Sequence, residues 1–355
     1  MASKARTTSG ILLAVLGVAS LAAAAVLYWV VVPGQAQLPD DTNVTRKFDG
    51  TAAILLNPAG LATGDMSKVL LRNVPVTAQR NVVVAATSGD AAQVRDTRTL
   101  STADGQSLGR TESVYAVDRK TLEAAKNPPP AWGAVLHEGL TVSWPIGAEK
   151  RDYVGWVSDT QTTTTLKYVG QEQHGGVDTY VYQASVAPAP IKDQQVLGSL
   201  PKSLPPQALG PLLSVLPLPD AMKQQLTPLL SQITTDVPLN YTYESTSKFW
   251  VEPTTGVVVD LDRKEIRKVG IELPGGRSIP PSIAVYDVST SMTDDSVSAA
   301  ADEANDARNQ LSLYGTTLPL VLAGVGVVLL VVAIIMLATG RRRPDPEPVP
   351  ATVDA

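Results

Sequence analysis

The sequence predicts a mainly β, α+β fold: an antiparallel β-rich ectodomain, built of two related halves, between two transmembrane helices. Three observations carry this. Two uncharged apolar runs are each long enough to cross a bilayer. Between them, short Val-, Thr- and Tyr-rich runs alternate with Gly, Asp and Asn turn signals. The 355-residue chain also has no cysteine, so its folded part must be held by a core rather than by disulfides.

The N-terminal tail, 1–9, carries Lys4 and Arg6. The first span, 10–32 ("GILLAVLGVASLAAAAVLYWVVV"), is uncharged and would be about 34 Å long as a helix at ~1.5 Å per residue. It exceeds the roughly 7–15 apolar residues of a cleaved signal, so an uncleaved anchor is expected. The second span, 316–339, contains "LPLVLAGVGVVLLVVAIIML" and is followed by Arg341, Arg342 and Arg343 in the tail 340–355. Basic residues stay on the cytoplasmic side. Both tails are therefore expected in the cytoplasm and the domain 34–296 outside it, in the cell envelope. That external part carries about seven net negative charges, which argues against nucleic acid as a partner and leaves the bilayer itself as the partner the sequence names.

After a polar linker, "TAAILLN" (51–57), "RNVVVAAT" (80–87), "AQVRDTRTLST" (92–102) and "ESVYAVD" (112–118) read as strands, with Asp104-Gly105 turning the last pair. "KNPPPAW" (126–132) interrupts them. Strands resume at "LTVSWPI" (140–146), "RDYVGWVSDT" (151–160), "TTTLKYVGQE" (163–172) and "VDTYVYQASV" (177–186). In "FWVEPTTGVVVDLD" (249–262), Pro253 and Gly256 suit a turn between two strands, and Glu252 reads as a solvated turn carboxylate. "VYAVDRKTLEA" (114–124) aligns with "KFWVEPTTGVV" (248–258), pairing Asp118 with Glu252 and Thr121 with Thr255; this marks related halves at about 48–126 and 162–295.

Residues 187–238 differ in kind. They interleave proline with leucine, and Asp220 can cap a helix whose Met222, Leu226, Leu229, Leu230 and Ile233 form an apolar stripe. The segment is expected to pack on the sheet end, or to act as an apolar lid or membrane-touching flap. An Ala-rich helix, 297–315, leads into the second span.

Catalytic and metal signatures are absent from the sequence. His137 and Glu138 are adjacent, so on a strand they face opposite ways. His174 lies in a Gly-rich turn and reads as solvated. Two histidines without Cys and without H-x-x-x-H spacing give no usual zinc site, and there is no G-x-S-x-G or P-loop. The chain reads as non-catalytic and without cofactor.

"HEGLTVSWPIGAEKRDYVGW", "YVGQEQHGGVDTYVY" and "FWVEPTTGVVVDLD", with the two terminal spans, resemble the actinobacterial PorA family over nearly the whole chain. The same hairpins are similar to those of LolA- and LppX-type lipid carriers, and the two-span outline to class B scavenger receptors. The family label implies a pore. The residues imply something else, because a membrane barrel needs many strands with an apolar outer face. The resulting expectation is a two-span envelope protein whose β domain binds or transfers lipid or lipoglycan, with Trp250, Tyr180 and Tyr182 as wall residues and the 222–233 stripe as the lid. Two alternatives stand beside it: a porin or channel component formed through small-residue contacts in "GVASLAAAA" and "AGVG", and an unmarked envelope hydrolase. Nothing in the sequence sets an oligomeric state.

Overall fold

The computed structural model describes residues 2–57, 60, 69–215, 224, 233–273 and 277–340. The chain divides into a helical unit, 1–36 with 307–355, and a β unit, 37–306.

Among the described residues, two helices are long and apolar enough to cross a membrane. The first is α1 (Ala2–Val26), which runs through a π-helical turn (Leu27–Val31) into α2 (Val32–Gln35). The second belongs to a continuous helical stretch whose last part, beyond the π-helical turn Leu313–Thr317, is the apolar helix Leu318–Gly340. The two apolar helices pack antiparallel, and their backbones meet at Gly17 and Gly326. A Cβ on Gly17 would stand 2.8 Å from Leu330 Cγ and 2.9 Å from the Gly326 carbonyl oxygen. Nearby, Ser20 Oγ donates to the Leu322 carbonyl at 2.7 Å. The small residues expected to serve helix self-association are thus used within the chain. Leu12, Val15, Val328 and Ile334 stay exposed on the outside of the pair.

In the β unit the described residues form one antiparallel sheet of 11 strands curled into a half-barrel. The strands are β1 (Asn43–Leu56), β2 (Leu70–Ser88), β3 (Ala91–Thr102), β4 (Ser107–Asp118), β5 (Tyr153–Val157), β6 (Thr162–His174), β7 (Val177–Pro190), β8 (Ser203–Leu204), β9 (Val237–Val251), β10 (Val258–Leu273) and β11 (Arg277–Met292). Their order is β4-β3-β2-β1-β11-β10-β9-β7-β6-β5, with β8 attached to β9. The first and last strands therefore meet in the middle, Gly50 opposite Thr290. Register shifts such as those at Val84/Ala86, Val186/Ala189 and Val258/Asp260 bend the strands and allow the sheet to curl. Between β7 and β9 lie α3 (Gln194–Ser199) and α4 (Pro206–Val215); α5 (Asp294–Ser312) follows β11 and α6 is the apolar helix Leu318–Gly340. The Ala-rich start of α5 lays Ala300 against Phe48, Leu261 and Met292.

Residues 249–262 form a hairpin corner, as expected, but Glu252 is not solvated. It is 2 % exposed, and its Oε2 accepts from both the amide and the hydroxyl of Thr255 at 2.8 Å. A short polar turn whose own donors converge on one carboxylate can bury it at little cost. The alignment with 114–124 holds in atomic detail. In each turn the acidic residue's amide donates to the carbonyl five residues on, Glu123 or Val257. The residue four on, Leu122 or Gly256, donates back to the acidic residue's carbonyl and has positive φ. The flanking pairs are Val117 with Ala124 and Val251 with Val258.

One expected strand is missing. Residues 140–146 make only an isolated bridge, Leu140 to Gly155. They belong instead to a strap, 119–152, that crosses from β4 to β5. Val135 donates to Val114 of β4, while Leu140 donates to Val154 and accepts from Trp156 on β5. The strap thereby satisfies edge groups that would otherwise lack partners. Farther along it, Trp144 and Ala148 donate to Gly256 and Pro253 of the corner.

Candidate functional site

Alternation along each strand sends one row of side chains into the half-barrel and the other to solvent. The inward row has three zones.

At one end the surface is apolar. Tyr241, Val269, Ile271, Ile279, Ile283 and Val285 face the insertion, which covers them with Ile191, Val196, Leu204, Leu209 and Ile233. A void of about 40 Å³ remains there, lined by Leu56, Val69, Leu204, Tyr241 and Ile283 among others. That is room for only a few water molecules, so an acyl chain fits only if the covering segment moves.

At the other end the interior is aromatic. Trp144 of the strap lies 5.0 Å from both Tyr182 and Phe249, and Tyr153 packs edge-on to Tyr182. His137 sits between Tyr115 and Trp156. Its Nε2, Thr141 Oγ1 and Trp156 Nε1 are buried with no hydrogen-bond partner among the described residues.

Between the two ends runs a belt of charge. Asp96, 2 % exposed, is shared by Arg80 at 3.0 Å and Arg98 at 2.9 Å. Burial would raise the Asp96 carboxyl, but the two guanidinium groups outweigh it and hold its pKa well below the usual range. Arg267 pairs with Asp159 at 2.9 Å and lies over the Tyr286 ring, while Tyr243 donates to Glu265 at 2.8 Å. Burial pushes the Asp159 carboxyl up despite Arg267, whereas Arg263 and Arg267 override burial at Glu265 and hold it down. Charges on strands of both halves therefore face one interior, with Arg98 acting on Asp159 and Glu265 across it.

The expected site residues fall in different places. Tyr182 is fully buried, its hydroxyl donating to the Glu149 carbonyl at 2.6 Å, and Tyr180 packs beside Tyr168 on the same face. Trp250 does not share their wall. Between Phe249 and Val251 it points the opposite way, stacked on His174 at 4.5 Å under the Lys248 ammonium. His174 is not simply solvated, since its Nε2 lies 2.6 Å from Asp260 Oδ2. Ile233 is buried in the apolar cluster; Met222, Leu226, Leu229 and Leu230 lie outside the described residues. The charged belt escaped sequence reasoning. Its one signal was phase, since Asp96 and Arg98 continue the inward row of Ala92 and Val94, as Glu265 and Arg267 continue into Val269.

The outward row is polar. A shallow depression of about 940 Å³ crosses β1, β11, β10, β9, β7 and β6, lined by Thr51, Thr246, Ser289 and Ser291 together with Asp49, Lys167, Lys248 and Lys264. Among the described residues no group of three or more His, Cys, Asp or Glu could hold a metal ion.

Comparison with known proteins is consistent over the length of the chain. The profile of the family described as Porin PorA matches residues 9–335. The Porin PorA of Corynebacterium resistens is 24 % identical over 409 aligned positions, which cover 93 % of this chain and 96 % of that one. Among solved structures, a protein from Chloroflexus aurantiacus described as a MaoC domain dehydratase aligns over 78 % of this chain and 80 % of its own at 10 % identity. Its TM-score is 0.13, too low to carry an argument.

Proposed function

This chain belongs to the Porin PorA family, and from that premise we propose that it is a two-span envelope protein whose β unit takes up the apolar part of a membrane lipid or lipoglycan, without catalysis. One observation carries the reading: an apolar inner surface, from Tyr241 to Val285, is covered by a leucine-rich insertion rather than by another part of the sheet. Such a cover is separable from what it covers. The charged belt beside it offers a polar headgroup Arg98, whose side chain is 35 % exposed although its partner Asp96 is buried. Lipid inside the half-barrel, with a bilayer around the two helices, is the partner arrangement that follows. The basic flanks support placing both tails in the cytoplasm and the β unit on the other side.

The pore implied by the family name is the second reading. The strands do not favour it, because their outward row of Ser, Thr, Lys and Asp is the reverse of a lipid-facing barrel surface. A pore would have to come from assembly of the helices, whose glycine contact is already occupied within the chain.

The reading is tested on the full-length protein in detergent. After extensive washing, lipid should still copurify, and adding phospholipid should slow hydrogen exchange in 237–251 and 277–292. Washed protein free of lipid, with exchange in both segments unchanged, would overturn it.

A further inference from the structure

We infer that Gln195 and Glu112 form the latch of an entry port through which an acyl chain reaches the apolar end of the β unit. The inference rests on the lipid reading above. Among the described residues β4 is the last strand of its side of the sheet, and its outer edge has no strand partner. At Glu112 that edge is paired by a side chain. The Gln195 amide accepts from the Glu112 N–H at 3.1 Å and donates to the Glu112 carbonyl at 2.7 Å. This two-point contact reproduces what a neighbouring strand residue would give. It joins elements 83 residues apart in sequence, and it is exposed to solvent.

The position of α3 gives the contact its role. Asp193 caps the helix, accepting from Gln195 N at 2.8 Å and Val196 N at 3.2 Å. Val196, the next residue after the latch, is 4 % exposed and sits in the apolar cluster with Leu204 and Tyr241. A movement of α3 away from β4 therefore breaks the latch and uncovers the apolar surface in one step. The rest of the rim is held differently. Around the strap, main-chain bonds run to both β4 and β5, and Trp144 is buried among aromatic rings. The seam between α3 and β4 is the weaker one, since water can replace two exposed hydrogen bonds at small net cost.

The absence of cysteine from the natural chain permits a clean test. Glu112→Cys with Gln195→Cys is made in the full-length protein, reconstituted in nanodiscs containing a phospholipid with a diazirine in its acyl chain. Light-induced labelling of the peptides holding Tyr241, Ile271 and Ile283 is read by mass spectrometry, before and after a short bis-maleimide joins the two thiols. Labelling is expected without the cross-link and should fall at least about fivefold with it, while thermal unfolding and maleimide-treated single variants stay unaffected. Gln195→Ala should raise the labelling rate about fivefold, the shift expected for two exposed hydrogen bonds at the weak end of the usual range. Equal labelling with and without the cross-link would overturn the latch and leave the lipid reading intact. No interior labelling in the uncross-linked protein or in Gln195→Ala would overturn the lipid reading itself.

Discussion

The Ser143 hydroxyl donates to the carbonyl of Gly256 at 2.6 Å, fixing the strap to the corner between β9 and β10. Gly256 has φ of 75°, and a Cβ there would lie 2.7 Å from the Pro145 carbonyl oxygen and closer still to that of Trp144. Gly256→Val should destabilise the β unit by about 3 kcal/mol, combining backbone strain with displacement of the strap. Gly89, with φ of 58° but open space around it, supplies the control. Gly89→Ala should cost only about 1 kcal/mol in the same thermal-unfolding measurement.

Glu252→Gln is expected to destabilise by roughly 1–2 kcal/mol, because a buried carboxylate that accepts two hydrogen bonds is replaced by an amide that must aim its oxygen correctly. Chemical denaturation detects a change of that size. A variant indistinguishable from wild type would mean that the turn does not depend on this acceptor.

Asp96→Asn leaves Arg80 and Arg98 facing each other without their shared carboxylate, and should cost about 3–5 kcal/mol. Because the folded-state pKa of Asp96 lies below its unfolded value, its contribution is complete above about pH 4 and is lost as the pH falls through the depressed value. The stability gap between wild type and Asp96→Asn should therefore stay constant from pH 7 to about pH 5 and narrow in strong acid.

Leu209, 2 % exposed, packs within the insertion against the inner sheet surface. Leu209→Ala should cost about 2–4 kcal/mol. Deleting 190–236 should likewise destabilise the β unit, since it would expose Tyr241, Ile271 and Ile283 to water. Circular dichroism on the purified variants distinguishes a lost cover from a dispensable loop.

Placement across the membrane is tested by Ser199→Cys, an exposed position in a chain that otherwise lacks thiols. An impermeant maleimide should label it in intact, wall-permeabilised cells. Labelling that requires lysis would reverse the proposed orientation.

Much of the β unit was legible because turn chemistry is local. Asp104-Gly105 and the two glycines of "QHGG" fix their hairpins whatever surrounds them, and the acidic corner repeated at Asp118 and Glu252 carries its hydrogen bonds within a few residues. The strap was not legible because "LTVSWPI" has the composition of a strand. Its apolar residues are instead spent on the inner faces of two other sheet regions, Val142 beside the Val82 cluster and Trp144 beside Tyr182. Trp250 faces away from Tyr180 and Tyr182, as period-two alternation from Phe249 dictates. The charged belt was hidden for a different reason. Its pair Asp159 and Arg267 joins residues 108 apart in the chain, and no local pattern announces such a partner; Arg80, Asp96 and Arg98 meet across one hairpin, where charges in the inward row break the apolar alternation.

The pairing of β1 with β11 has a consequence for how the protein is made. Gly50 and Thr290 are partners, so the centre of the sheet does not exist until nearly the whole β unit has been synthesised. The strands on either side can form earlier as two hairpin-linked flaps, each with one greasy face and an unpaired border. Closure of so distant a pair is slow, because loop entropy is lost before any contact repays it. Biogenesis, rather than the finished fold, is then the stage at which this chain is most open to aggregation. The second apolar helix leaves the ribosome only after β11, so in the proposed two-span arrangement the first would by itself hold an unfinished chain at the bilayer until the last strand arrives.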